Sequence, residues 1–248
     1  MRTLVVIGLL SASLPSQDTI LERSRQVNLD RAANMPNFVA DEVVTHFVAR
    51  PSSGLVDSID WRHDYTVEDE ITVKGNQVTR DQVRRNGKAA KGVILGMPTT
   101  GFGAALKPLF DPQCPTQLEF AGNEPFRGTT ALVYRFHSPA DGCFGNLYGG
   151  RNGTWAYNAA RAGRIFIDGR SGDVLQFEEE ATGFPNGFLI TQRNQVMTWN
   201  FVKIQDVSHW LPVSAEFIWR MGDGSLTRAT ATYSNHRHFE AATNLTFQ

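Results

Sequence analysis

The sequence predicts a mainly β fold of α+β type, a curved antiparallel sheet of roughly ten to twelve strands partly closed by two or three helices. Three observations predict it. The apolar period changes from 3.6 towards 2 at Phe38, after a single N-terminal helical stretch. Turn signals then punctuate the chain, among them Pro51-Ser52-Ser53-Gly54, Gly75-Asn76, Gly169-Arg170-Ser171-Gly172 and Gly222-Asp223-Gly224. In the C-terminal third, Val213, Ala215, Phe217, Trp219 and Met221 alternate with more polar residues, as do Phe239, Ala241, Thr243, Leu245 and Phe247. Strands of that pattern present one apolar and one wet face.

Taken in order, the first element is a segment of export. Met1-Arg2, an apolar run from Leu4 to Leu10, small residues, Pro15 and Ser16 have the parts of a secretory signal peptide over residues 1–16. The apolar run is too short to span a bilayer. Residues 17–248 then form one β-rich domain, because no composition break or Pro/Ser linker divides them. Asp18 to Ala33 reads as a helix capped by Asp18 and stopped at Asn34 and Pro36, with so thin an apolar stripe that it should lie on a surface.

Phe38 to Val48 is a long strand, and Ser58 to Val73 reads as two more. Thr79 to Lys91, with Arg80, Arg84, Arg85, Lys88 and Lys91, reads as a solvated loop or short helix. A second helix is expected over Gly103 to Phe110 and a strand over Thr129 to His137. Ser138 to Ala160 is Gly-rich and irregular, the composition of a lid, a binding loop or a disordered segment. Gly163–Asp168 and Asp173–Glu178 form a hairpin, and the run Glu178-Glu179-Glu180 reads as a solvated strand end. Meander strands follow over Val196–Val207, Val213–Met221, Leu226–Ser234 and Arg237–Phe247, with turns at Ser208-His209 near Pro212 and at Asn235.

Charge and motif spacing exclude more than they include. Lys plus Arg number 24 against 25 Asp plus Glu, so the net charge gives no electrostatic argument for a nucleic-acid partner. Gly96 and Gly101 are spaced like a phosphate loop, but Phe102 and Gly103 stand where Lys and Ser/Thr are required. No Gly-x-Ser-x-Gly elbow occurs. Asp206, Ser208 and His209 offer triad residue types but crowd one short turn, which rarely gives nucleophile–base geometry. His236, His238 and Glu240 would share one strand face, yet three such positions need a bend to meet one ion. The bland reading, a solvated outer face, is preferred, and no cofactor or metal is expected. Trp61, Trp155, Trp199, Trp210 and Trp219 read as packing rather than a sugar platform. Cys114 and Cys143 either pair or remain free thiols; export favours a disulfide, worth roughly 3–4 kcal/mol for a loop of about 30 residues.

Several stretches carry a resemblance: Met35-Pro36-Asn37-Phe38, Gly101–Phe110, Gly163–Asp168 with Gly172–Leu175, Trp210–Val213, and Tyr233–Phe239. In this order they resemble a group of uncharacterised exported acidobacterial proteins, and the resemblance carries no catalytic residue. The strand plan also looks like the lipoprotein-carrier (LolA/LolB) and RseB-type half-barrel. That second resemblance implies a concave apolar face able to hold a lipid, an acyl chain or a lipoprotein, with Val213, Phe217, Trp219, Phe239 and Leu245 as its lining. The same five residues would equally serve as core beneath the helices. The functional expectation is a non-enzymatic, periplasmic or extracellular envelope protein binding an apolar ligand or lipid-modified partner. An interaction or sensor module acting through Ser138–Ala160 is the alternative, and an unrecognised hydrolase the third.

Overall fold

The structure, a computed structural model, describes residues 17–49, 59–75, 77–90, 106–149 and 155–239. The expected signal peptide, and Leu245 with the end of the last expected strand, lie outside them. Two helices are present, α1 (Gln17–Ala33) and α2 (Leu106–Phe110). The N-terminal strands are β1 (Phe38–Ala49), β2 (Arg62–Lys74), β3 (Gln77–Arg85) and β4 (Lys88–Ala89). The middle of the chain gives β5 (Gln117–Phe126), β6 (Thr129–Ser138), β7 (Leu147–Gly149), β8 (Trp155–Tyr157) and β9 (Ala160–Asp168). The last four are β10 (Val174–Thr182), β11 (Ile190–Ile204), β12 (Val207–Met221) and β13 (Leu226–His238).

Eleven strands form one open antiparallel sheet in the order β4-β3-β2-β1-β13-β12-β11-β10-β9-β6-β5, and β7 pairs with β8 in a separate hairpin. The fold is therefore mainly β with two described helices, as the residue pattern predicts. Only the β1–β13 pair joins strands that are not consecutive in the sheet's own sequence order; β6 and β9 pair across the β7–β8 hairpin.

Both helices pack on one face, here the inner face. Ile20 of α1 and Leu106, Leu109 and Phe110 of α2 enter one core with Val44, Val67, Tyr134, Phe136, Ile165, Phe177, Met197, Trp199 and Phe217 from the strands. Strand register lines these residues up across the sheet: Val67 opposite Val44, Val44 opposite Ala231, Ala231 opposite Ala215, then Met197, Phe177, Ile165 and Tyr134 in turn. The three buried side chains Ala215, Ala229 and Ala231 are short, which leaves room above the middle of the sheet for the helices. The outer face is wetter. It carries the ion pairs Arg164–Glu178, Arg228–Glu216 and Arg237–Glu70, over a small cluster of Ala131, Val133 and Phe166.

Helix α1 lies on the sheet's surface, as its thin apolar stripe predicts, with most of its side chains exposed or half-buried. Beside Ile20 it buries Ser24 and Asn28, and it docks through polar contacts onto the β9–β10 turn. Its binding to backbone groups rather than through an apolar stripe explains why that stripe can be thin.

Several boundaries differ from expectation. The described part of Thr79–Lys91 is not a loop: β3 and β4 occupy it, with Val78 and Val83 packed against the cores and Arg80 paired with the buried Glu42 and Asp69. The described part of Ser58–Val73 is one strand, and β5, which the sequence reading leaves out, forms an edge through Gly122 and Pro125. No turn occurs at Ser208-His209; β12 runs through Pro212, which sits opposite Trp199 beside a bulge where a missing amide costs little. Asn235 is likewise no turn. It takes a positive φ of 50° in a bulge of β13, and Arg237 continues the strand opposite Val39.

Candidate functional site

The inner face is apolar at its centre and polar in two places, on opposite sides of that centre along the strands. Phe217 is 2% exposed and forms part of the core. Trp219, two residues on, is only half-buried, and its ring stacks on that of Phe217 at 5.6 Å with planes 10° apart. Register places Arg193 of β11 opposite Trp219 and Gln195 opposite Phe217. Gln195 in turn lies opposite Glu179 of β10, and Glu179 opposite Gly163 of β9.

Arg161, Glu179 and Arg193 form one buried cluster there. Arg161 Nη1 donates to Glu179 Oε1 at 2.7 Å, and Arg193 Nη2 donates to the same oxygen. Arg161 also donates to the carbonyls of Ala159 and Gly145, at 3.3 and 3.1 Å. Its guanidinium lies over the Phe144 ring, which stacks with Phe136 and Phe177. Burial, opposed by Glu179 and helped by Arg193, lowers the Arg161 pKa. Gly163 leaves the space for this arrangement: a Cβ there would meet the Glu178 carbonyl and the Phe136 ring edge.

Glu179 thus contradicts its reading as a solvated strand end. Alternation splits the acidic run, with Glu178 pairing with Arg164 on the outer face while Glu179 shares the inner face with Phe177.

A second polar group lies across β2, β1 and β13, where Asp69, Glu42 and Tyr233 are register neighbours. Arg80 of β3 reaches Glu42 at 3.1 Å and Asp69 at 3.2 Å, so this member of the expected solvated basic stretch is an inner-face ion pair. Burial, and the Glu42 charge beside it, push the Asp69 carboxyl up to about 7. Beyond the Val44–Val67 row, two inward positions along β1 from Glu42, His46 stacks on Tyr65 at 4.2 Å, and burial pushes its imidazole down to about 4.

The five nominated lining residues do not come together. Phe217 and Trp219 touch; Val213 is the extra residue of the β12 bulge and is absent from the described core. Phe239 follows β13, half-buried, with its amide donating to the Asn37 carbonyl at 3.3 Å. Leu245 lies outside the described residues. Cys114 and Cys143 are joined in a disulfide, with Cα atoms 5.6 Å apart. The described part of Ser138–Ala160 is tied down rather than loose: the disulfide and Phe144 hold one side, and Tyr157 donates to the Gly183 carbonyl at 2.9 Å. The two best-formed clefts among the described residues are shallow, about 270 Å³ beside Arg31, Met35 and Trp210 and about 300 Å³ beside Tyr157 and Phe188. Arg161, Glu179, Arg193 and Gln195 were missed as site residues, although each has the parity of an inward apolar neighbour, Ile165, Phe177 or Met197.

No protein-family model matches the sequence, and no curated relative is found. Among solved structures the chain is similar to a DUF1329 family protein from Desulfovibrio piger, at TM-score 0.38 and 10% identity over 92% of this chain and 94% of that one. It is similar to a putative outer membrane lipoprotein-sorting protein domain from Vibrio parahaemolyticus, at TM-score 0.38 and 10% identity over 93% and 95%. A LolA superfamily protein from Nitrosomonas europaea aligns at TM-score 0.31 and 11% identity over 94% and 98%.

Proposed function

We propose that this protein is an exported, non-enzymatic envelope protein that binds an apolar ligand, an acyl chain or a lipid-modified partner, on the inner face of its sheet. The observation that carries the reading is the Phe217–Trp219 ring pair. Its inner member belongs to the core while its outer member is half-exposed, so the apolar face runs out from under the helices to solvent. Val48, 41% exposed, continues the same face two strands away, since it lies opposite Thr227 and Thr227 opposite Trp219. An apolar rim of this kind gains by covering itself.

Delipidated protein titrated with a fluorescent fatty acid should show saturable uptake, weakened about tenfold in Trp219→Ala. Phe217 is too deeply packed to serve as the probe. Absence of saturable uptake, or uptake indifferent to Trp219→Ala, overturns the reading. A second reading, an interaction module acting through Ser138–Ala160, is favoured by the filled centre of the sheet, where Ala215, Ala229 and Phe217 are all buried. The same titration separates the two.

A further inference from the structure

We propose that the ligand is an anionic amphiphile whose oxyanion head is bound by Arg193 and Gln195, with its chain laid along Phe217 and Trp219. This deepens the reading above and rests on it. Two guanidiniums share one carboxylate: Arg161 and Arg193 both pair with Glu179, and neither has a second carboxylate partner among the described residues. Arg161 is saturated by Glu179 and two carbonyls. Arg193, 7% exposed, is not, since its Nε is buried without an acceptor. Gln195, 2% exposed, also buries its Nε2 donor without an acceptor.

These two unmet donors lie on successive inward positions of β11, and their register partners on β12 are Trp219 and Phe217. A net positive, donor-rich group of side chains beside stacked aromatic rings matches a carboxylate or phosphate carrying an alkyl chain. The Glu42–Asp69–Arg80 group makes the contrast. It has the opposite imbalance, two carboxylates to one guanidinium, and a retained proton relieves it. A guanidinium cannot shed its proton, so the excess charge at Arg193 needs an anion.

The test is calorimetry on the full protein with dodecanoate, dodecyl phosphate and dodecanol, which share a chain and differ in head. At least one anion should bind about tenfold or more tightly than dodecanol, and the tighter of the two identifies the head. Gln195→Leu, which leaves the Arg161–Glu179–Arg193 pairing in place, should shrink that ratio several-fold, and Arg193→Gln should bring it near one. Arg228→Gln, on the outer face, should keep it. Equal affinity for dodecanol and both anions, or a ratio untouched in Gln195→Leu and Arg193→Gln, overturns the proposal while the apolar-ligand reading stands. Failure of all three probes to bind removes both.

Discussion

Asn28 of α1 grips the β9–β10 turn at Gly172: its Nδ2 donates to the Gly172 carbonyl at 2.9 Å, and its Oδ1 accepts the amide of Val174 at 3.3 Å. Gly172 has φ of +83°, and a Cβ there would stand 3.2 Å from the Ser24 amide nitrogen. Helix and turn therefore approach at backbone distance. Arg31 adds an ion pair to Asp173 at 2.7 Å.

Replacing Asn28 with Leu strands a buried carbonyl and a buried amide. Urea unfolding should show a loss of about 2–4 kcal/mol. A loss below about 1 kcal/mol would mean that the helix is held by Ile20 and its apolar neighbours instead.

Removing the Cys114–Cys143 disulfide frees a long loop in the unfolded chain. Cys114→Ser with Cys143→Ser should lower stability by roughly 3–4 kcal/mol, and reductant should have no effect on that double variant. Equal melting temperatures for the parent with and without reductant would contradict this.

Glu179 and Glu216 are both strand carboxylates paired with arginine, yet the first is buried and the second about a third exposed. Glu179→Gln leaves two buried guanidiniums uncompensated and should cost more than about 3 kcal/mol. Glu216→Gln should cost less than about 1 kcal/mol. Denaturation midpoints of the two variants decide it.

Asp69 and His46 pull the pH dependence of stability in opposite directions. Asp69 keeps its proton in the folded state up to about 7, so its contribution grows as pH falls from 7 towards 4. His46 stays neutral when folded down to about 4, while the unfolded imidazole takes a proton below its ordinary 6.5. Its contribution is lost over that fall. Relative to the parent, His46→Gln should therefore gain stability between pH 7 and pH 5, and Asp69→Asn should lose it. Variants that both follow the parent's profile would refute the assignment.

Much of the fold was legible in the residues, because alternation and turn signals report the sheet directly. The Gly169–Gly172 hairpin, the inward Ala215, Phe217 and Trp219, and the helix at Asp18–Ala33 all appear where periodicity puts them. What escaped has a common cause: a polar residue is read as wet wherever it stands. Gln195, Glu179, Arg161 and Arg193 occupy inward positions, and for the last three only their mutual pairing, brought from three strands, makes burial tolerable. Pro212 and Asn235 misled for a second reason. Each reads as a turn, and each in fact marks a bulge inside a continuing strand.

Strand β1 is seated between β2 and β13, so Val44 meets Val67 nearby in the chain and Ala231 near its far end. The β1–β4 meander is joined to the rest of the sheet through β13 alone. During synthesis those first strands must wait, unpaired on one side, until the chain's distant portion has arrived. Assembly is thereby dominated by non-local contacts, which makes it slow. A chain that closes its architecture so late leaves an open strand edge in the interval, where wrong pairing can begin.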